Sequence, residues 1–392
     1  MSDRKRIIVT GYMARCPIAG VIWQHIHYVV GLQRLGHEVY YIEDSTAHPY
    51  HPITYDYVAD WSYTAQIMPK LARQFGFEGR WGYRARYLDD RPTAGLSGQR
   101  IDELYREADA VLNVCGEQEL HEDILQNRCL IYVESDPGKE QCLIDTKPDA
   151  PIRQTLAQYQ AVFTFGEHIG TPKFPVPLHG IPWQPTRQPI VTDFWKTDAP
   201  PPAGAVFTSV ANWNTKGKDV EWRGDKYLWS KALEFLRFMD APRHSGETFE
   251  LATNLRDEAT KAQLLERSWR LTSPQEISID HDLYVRYLRD SKGEFTVAKD
   301  QYVRLNTGWF SDRTACYLAC GRPVITQETG FTDLYGGQRG LLAFRTLDEI
   351  AEAVRAVNSD YAAHCRAAYE VAAEYFEATK VVASILDRAG LS

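Results

Sequence analysis

Residues 6–44 read RIIVTGYMARCPIAGVIWQHIHYVVGLQRLGHEVYYIED, and the reading of this stretch decides the fold. RIIVT is a short apolar run that stops at Gly11, the pattern of a buried strand. After the loop GYMARCPIAG, Ile22, Ile26, Val29 and Val30 fall on one face of a 3.6-residue wheel. This predicts a helix over 21–35, stopped by Gly36. EVYYIED returns to strand. Strand, helix, strand is a βαβ unit, and its right-handed crossover makes the two strands parallel.

The same alternation continues outward. Strands are predicted over 108–116, 129–138 and 161–167. Between them and the opening unit lies an aromatic insertion, 45–98, with a helix near 63–75. Proline then recurs at 172, 175, 177, 182, 185, 189, 200, 201 and 202, which suits neither helix nor central strand. Alternation restarts with AVFTSVANW at 205 and continues through FELAT, GEFTVAK, RPVITQ and GLLAF. Helices are predicted over 228–238, 257–267, 281–289, from Ser311, and over 347–358, 361–376 and 378–388. The expected fold is α/β, with two Rossmann-like parallel-sheet domains facing across a cleft. The expected boundaries are 1–185 for a first Rossmann-like domain, 186–202 for a proline-rich connection ordered against both domains, and 203–376 for a second Rossmann-like domain. A terminal helix, 377–392, crosses back to the first domain. A chain of 392 residues fits two domains at about 150 residues each.

A net charge of −8 argues against binding nucleic acid by bulk attraction to phosphates. Seven cysteines, with no Cys/His run at metal-ligand spacing, point to a reduced, cytoplasmic protein without a bound metal. No apolar stretch reaches the roughly 18 residues of a membrane span. The start, MSDRKRIIVTGY, lacks the long apolar segment of a signal peptide.

In open parallel sheets, ligands bind beyond the carboxyl ends of the strands, so candidate residues are sought there. Ser311 is placed to cap the helix leading to Gly321, and a helix N-terminus is an anion site. Arg313 in its first turn is a candidate bidentate clamp on phosphate, and Lys299, past the GEFTVAK strand, reaches the same place. On the opposite side, a base is sought near the cleft. His25 and His27 lie about 200° apart on a helix, and His25, flanking the apolar face, is the better candidate. Asp136, in SDPG after a strand, is the second. Gly11, Gly20 and the aromatics Trp61 and Trp81 form the expected acceptor side. Asp280-His281-Asp282 has D-x-D spacing but sits at a helix start, where it reads as a cap.

Two segments carry a resemblance. AGVIWQHIHYVVGLQRLGHEVYYIED, from Ala19, and YLACGRPVITQETGFTDLYGGQRGLLAF, from Tyr317, resemble the opening and the A-C-G-x-P-V run of group 1 glycosyltransferases of the GT-B fold, in the correct order. The resemblance implies transfer of a sugar from a nucleotide diphosphate sugar, such as a UDP-sugar, onto an acceptor hydroxyl, with no other cofactor and no metal. It implies a diphosphate-binding lysine early in the second domain, for which Lys216 and Lys231 both stand, and a turn facing the donor sugar at Thr329 and Gly330. The chain departs from the family's E-x7-E pair, where Gly308 and Cys316 stand instead. Asp312 and Glu328 are the carboxylates left for the donor ribose, and the departure puts retaining stereochemistry in doubt. A Rossmann oxidoreductase fits less well, because GYMARCPIAG is not G-x-G-x-x-G and Glu43 lies beyond the ~20-residue spacing. A nucleotide-sugar epimerase, or a non-catalytic binder of the same fold, is the alternative function.

Overall fold

The computed structural model describes residues 4–215, 217–337 and 339–391. The first lobe is built on eight strands: β1 (Arg6–Thr10), β2 (Glu38–Ser45), β3 (Trp81–Ala85), β4 (Thr93–Gly95), β5 (Ala110–Val114), β6 (Leu130–Glu134), β7 (Ala161–Thr164) and β8 (Trp183–Pro185). Their order is β8-β7-β6-β5-β1-β2-β3-β4, parallel except where β4 returns antiparallel to β3. The second lobe holds β9 (Phe207–Ala211), β10 (Phe249–Thr253), β11 (Trp269–Thr272), β12 (Gly293–Thr296), β13 (Val324–Gln327) and β14 (Leu341–Phe344), in the parallel order β11-β10-β9-β12-β13-β14. Each lobe is an α/β layer structure, and the two face one another across a cleft. The opening unit forms as its periodicity dictates, with β1 parallel to β2 and the helix Ala19–Arg34 crossing between them.

The 45–98 insertion is less irregular than its composition suggests. It contributes β3 and β4 to the sheet edge beside the helix Ser62–Gln74. Its mouth is a small hairpin, Tyr50–His51 against Asp56–Tyr57. A second unforeseen hairpin, Val220–Trp222 with Asp225–Tyr227, precedes the helix Ala232–Arg237 and shortens it.

The proline-rich passage is packed rather than loose. Trp195 is fully buried, its indole NH donates to His27, and Arg289 donates to the carbonyls of Phe194 and Trp195. One apolar core runs from Ile7 and Trp23 of the first lobe to Tyr284, Phe310 and Phe376 of the second. The last helix, Ala378–Arg388, carries Val381, Val382, Ile385 and Leu386 at helical spacing and lies on the Ala19–Arg34 helix. The two meet at Gly31, where a Cβ would stand 3.1 Å from that of Ala378. Beside this contact the outgoing and returning chains bridge: Ile190 NH donates to the Phe376 carbonyl at 2.7 Å, and Ala378 NH donates to that of Ile190 at 2.8 Å. Among the described residues, no helix is long and apolar enough to cross a membrane.

Candidate active site

The loops after β1 and β6 meet those after β9 and β12 around a cavity of about 330 Å³. Its walls include Tyr12, Gly20, Gln24, Asp136, Ser311 and Asp312. Two helix N-termini open on it, those of Ala19–Arg34 and Asp312–Ala319, and neither N-cap side chain bonds its own helix. Ser311 does occupy the N-cap, but its hydroxyl is left to the cavity. Asp312 follows, its Oδ2 accepting from Gln24 of the opposite lobe at 3.1 Å. Burial, reinforced by the Asp136 carboxylate, pushes Asp312 up to about 7.

Four basic residues of the second lobe stand near the cavity, Arg313 in its lining and Lys218, Lys231 and Lys299 behind it. Lys299 spans the cleft to Asp136 Oδ1 at 2.6 Å and lies 3.3 Å over the Trp229 ring. Tyr302 donates to the same oxygen. Burial alone would raise Asp136, but Lys299 and Lys218 outweigh it and hold the carboxyl below its ordinary range. Asp136 Oδ2 accepts a long bond from the Ser135 hydroxyl at 3.4 Å and no other among the described residues. Lys218, from the loop after β9, sits 5.1 Å from the Trp229 ring centre and 3.7 Å from Glu117. Lys231 is 8 % exposed, and its ammonium has no hydrogen bond or ion pair among the described residues. Burial drives its pKa well down, and Arg313 adds to that. Of the two lysines the resemblance offered, Lys216 lies outside the described residues.

Several expected site residues prove to be built into the scaffold. His25 does not face the cleft. It is fully buried, its Nδ1–H donates to the Val21 carbonyl at 2.8 Å, and its Nε2 accepts from the Tyr12 amide at 3.3 Å. Burial pushes it down to about 4, so it is a neutral prop. It fills the space over Gly11, where a Cβ would stand 2.1 Å from Nε2; that glycine makes room for the histidine rather than for an acceptor. Arg313 lines the cavity, but its three nitrogens already serve Glu294, Val210 and Thr296, with Nε–Oε1 at 2.6 Å. It is therefore a buried ion pair in the wall, not a free clamp. Glu328 is 5 % exposed and caps its own turn, accepting from Gly330 N at 2.6 Å and Thr332 Oγ at 2.6 Å. Thr329 donates to the Trp309 carbonyl, and a Cβ on Gly330 would stand 2.4 Å from His168 of the first lobe. That turn closes the domain contact and does not line the cavity. Trp61 and Trp81 pack inward against Tyr83 and Gly95. The exposed aromatics of the insertion are Tyr55 and Tyr57 instead, beside the half-buried Tyr50, and no helical or strand periodicity marks them. Gly20 does face the cavity, with open space beside it.

Glu43 accepts from the amides of Ala14 and Arg15 and from the Tyr41 hydroxyl, so it ties down the loop after β1 and leaves no free oxygen for a ribose. Among the described residues, Asp44, His121 and Asp123 bring ligand atoms close enough for an ion, but Arg84 and Arg86 already neutralise the two carboxylates. Asp280 accepts from the amides of Asp282 and Leu283 and is a helix cap.

Two parallel-sheet lobes, with a polar cavity at the facing strand ends and a last helix returning to the first lobe, are the GT-B glycosyltransferase fold. Among solved structures that share it, an alpha-glucosyltransferase in complex with UDP and a DNA containing an HMU base superposes with TM-score 0.59 at 9 % identity, over 99 % of this chain and 100 % of that one. Anabaena HepE, in complex with UDP and glucose, gives 0.54 at 11 %, over 99 % and 100 %. Sucrose-phosphate synthase from Thermosynechococcus elongatus gives 0.51 at 12 %, over 99 % and 98 %. No protein-family model matches the chain, and no curated protein matches it in sequence.

Proposed function

We propose that the protein transfers a sugar from a nucleotide diphosphate sugar, with UDP-sugar the first candidate, to an acceptor hydroxyl. The observation that carries this is Lys231: a buried amine beside Arg313 and Lys299, with no hydrogen bond or ion pair among the described residues, is costly to charge unless an anion completes it. A diphosphate against the Asp312–Ala319 helix end, with Lys231, Lys299 and Lys218 around it, supplies that anion. In the reaction, the acceptor oxygen bonds to the anomeric carbon, the bond to the diphosphate breaks, and the electron pair leaves on phosphate. The lysines and helix amides offset the charge that develops there, without a divalent ion. On this reading Asp136 Oδ2 takes the acceptor's proton. UDP complexes of structures with this fold support the nucleotide. The seven free thiols suit a reducing, cytoplasmic setting.

Thermal shift with UDP, GDP and ADP, with and without EDTA, tests the site. A ligand at about 100 times its Kd adds about 2.7 kcal/mol of stability. Lys231→Met is expected to abolish that shift while leaving the free protein as stable or more so. UDP binding to Lys231→Met at wild-type strength would place the phosphates elsewhere.

A further inference from the structure

The cavity continues into a groove of about 950 Å³, at the upper end of the size range of small-ligand sites. One wall is the Tyr50–His51/Asp56–Tyr57 hairpin of the first lobe. Tyr55 and Tyr57 are 52 % and 60 % exposed, and Tyr57 meets Tyr50 with ring centres 5.4 Å apart. The hairpin is fixed from below: Tyr50 NH donates to the Arg15 carbonyl at 2.7 Å and Val58 NH to that of Pro49 at 3.0 Å. Tyr55 holds a left-handed φ of 60°, so the tip presents a bulky ring on backbone that ordinarily favours glycine. The other wall, from the ends of β10 and β11, offers uncharged groups: Thr253, Asn254, Ser273 and Gln275. The Thr253 hydroxyl is buried and has no hydrogen-bond partner among the described residues. The same wall also carries the apolar Leu255, Leu265 and Leu271 and two cations, Arg256 and Lys261, the latter paired with Glu258 at 2.8 Å.

We infer that this groove holds the acceptor, and that the acceptor is an uncharged oligosaccharide several rings long. The inference rests on the transferase reading above. Flat rings exposed along one wall suit the apolar faces of sugar rings, and neutral hydroxyls and amides opposite suit their hydroxyl edges. A nucleic acid of the same reach would need a row of free cations for its phosphates, and the groove supplies one. The cavity at its inner end, with Gly20 open beside it, brings a terminal hydroxyl toward Asp136.

Titration calorimetry with maltohexaose, cellohexaose and chitohexaose, with their disaccharides, and with a short DNA duplex tests this on the full chain. Wild type is expected to bind at least one hexasaccharide about tenfold more tightly than its disaccharide. The Tyr55→Ala/Tyr57→Ala double variant is expected to lose about tenfold of that affinity, as loss of ring stacking does, with the UDP thermal shift unchanged. Three results would overturn the inference: no hexasaccharide preference, equal binding by the double variant, or tighter binding of the duplex. Loss of UDP binding in the double variant would also overturn it, by assigning the tyrosines to the donor. Absence of any UDP shift in wild type defeats the transferase reading instead, while the hexasaccharide titration still decides the groove.

Discussion

Asp312 sits at a helix N-terminus that otherwise welcomes anions, and its own charge opposes a diphosphate docking there. Its carboxyl is raised to about 7 in the fold, against about 3.9 in an unfolded chain. Between those values the folded state keeps a proton that the unfolded state has released, so the stability this group contributes is full at low pH and is lost as pH rises through 7. Asp312→Asn should therefore flatten the fall of stability between about pH 4 and 7, read as urea midpoints across pH. The same variant should remove the weakening of UDP-glucose binding toward high pH; UDP-glucose is the right probe because it has no titrating terminal phosphate. Asp136 makes the complementary case. Asp136→Asn should abolish transfer while leaving the UDP thermal shift in place, and retained turnover would hand the proton to the leaving phosphate. The sequence made both acids visible, Asp136 because it follows a strand in an alternating pattern and Asp312 because the resemblance lacks its usual glutamate pair. It could not show that His25 is sealed in by Gly11, or that Arg313 is consumed by Glu294, since both facts depend on partners 14 and 19 residues away in the chain. Lys218 went unmarked because its neighbour Lys216 carried the family pattern, while Lys218 reaches the Trp229 ring only through an irregular loop.

At the scale of elements, most of the helices that periodicity predicted lie within about two residues of their bounds, while others, among them Gly98–Glu107, Lys139–Thr146 and the short Ala241–Ser245, were not predicted. Thr346 and Glu349 box the start of Leu347–Ser359, and Gly246 closes Ala241–Ser245 in the left-handed region. The strands β3 and β4 escaped notice because they are short, aromatic and glycine-bearing, which reads as loop. Helix-on-helix contacts were equally hidden. Gly31 is unremarkable in the sequence, yet it is where the final helix touches the first. Gly31→Val should push these helices apart and cost about 1–3 kcal/mol in urea denaturation, as overpacking of a close contact does. A variant as stable as wild type would show that the last helix is loosely held.

At the scale of the molecule, two lobes were legible from two runs of alternating elements separated by prolines, but their coupling was not. A core common to both lobes, the Asp136–Lys299 pair and the insertion of His168 against Gly330 all join distant stretches of chain. Heating should accordingly give one cooperative transition, with calorimetric and van't Hoff enthalpies in agreement, rather than two. Two resolved transitions would mean that the shared core does not couple the lobes. The bridge between Ile190 and Glu377 has its own consequence. The backbone leaves and re-enters the first lobe at one spot, so in topological terms the second lobe is a cassette spliced into a parent domain. A recombinant exchanging that cassette with one from another protein of this architecture needs just two junctions, side by side in space, at Ile190 and Glu377.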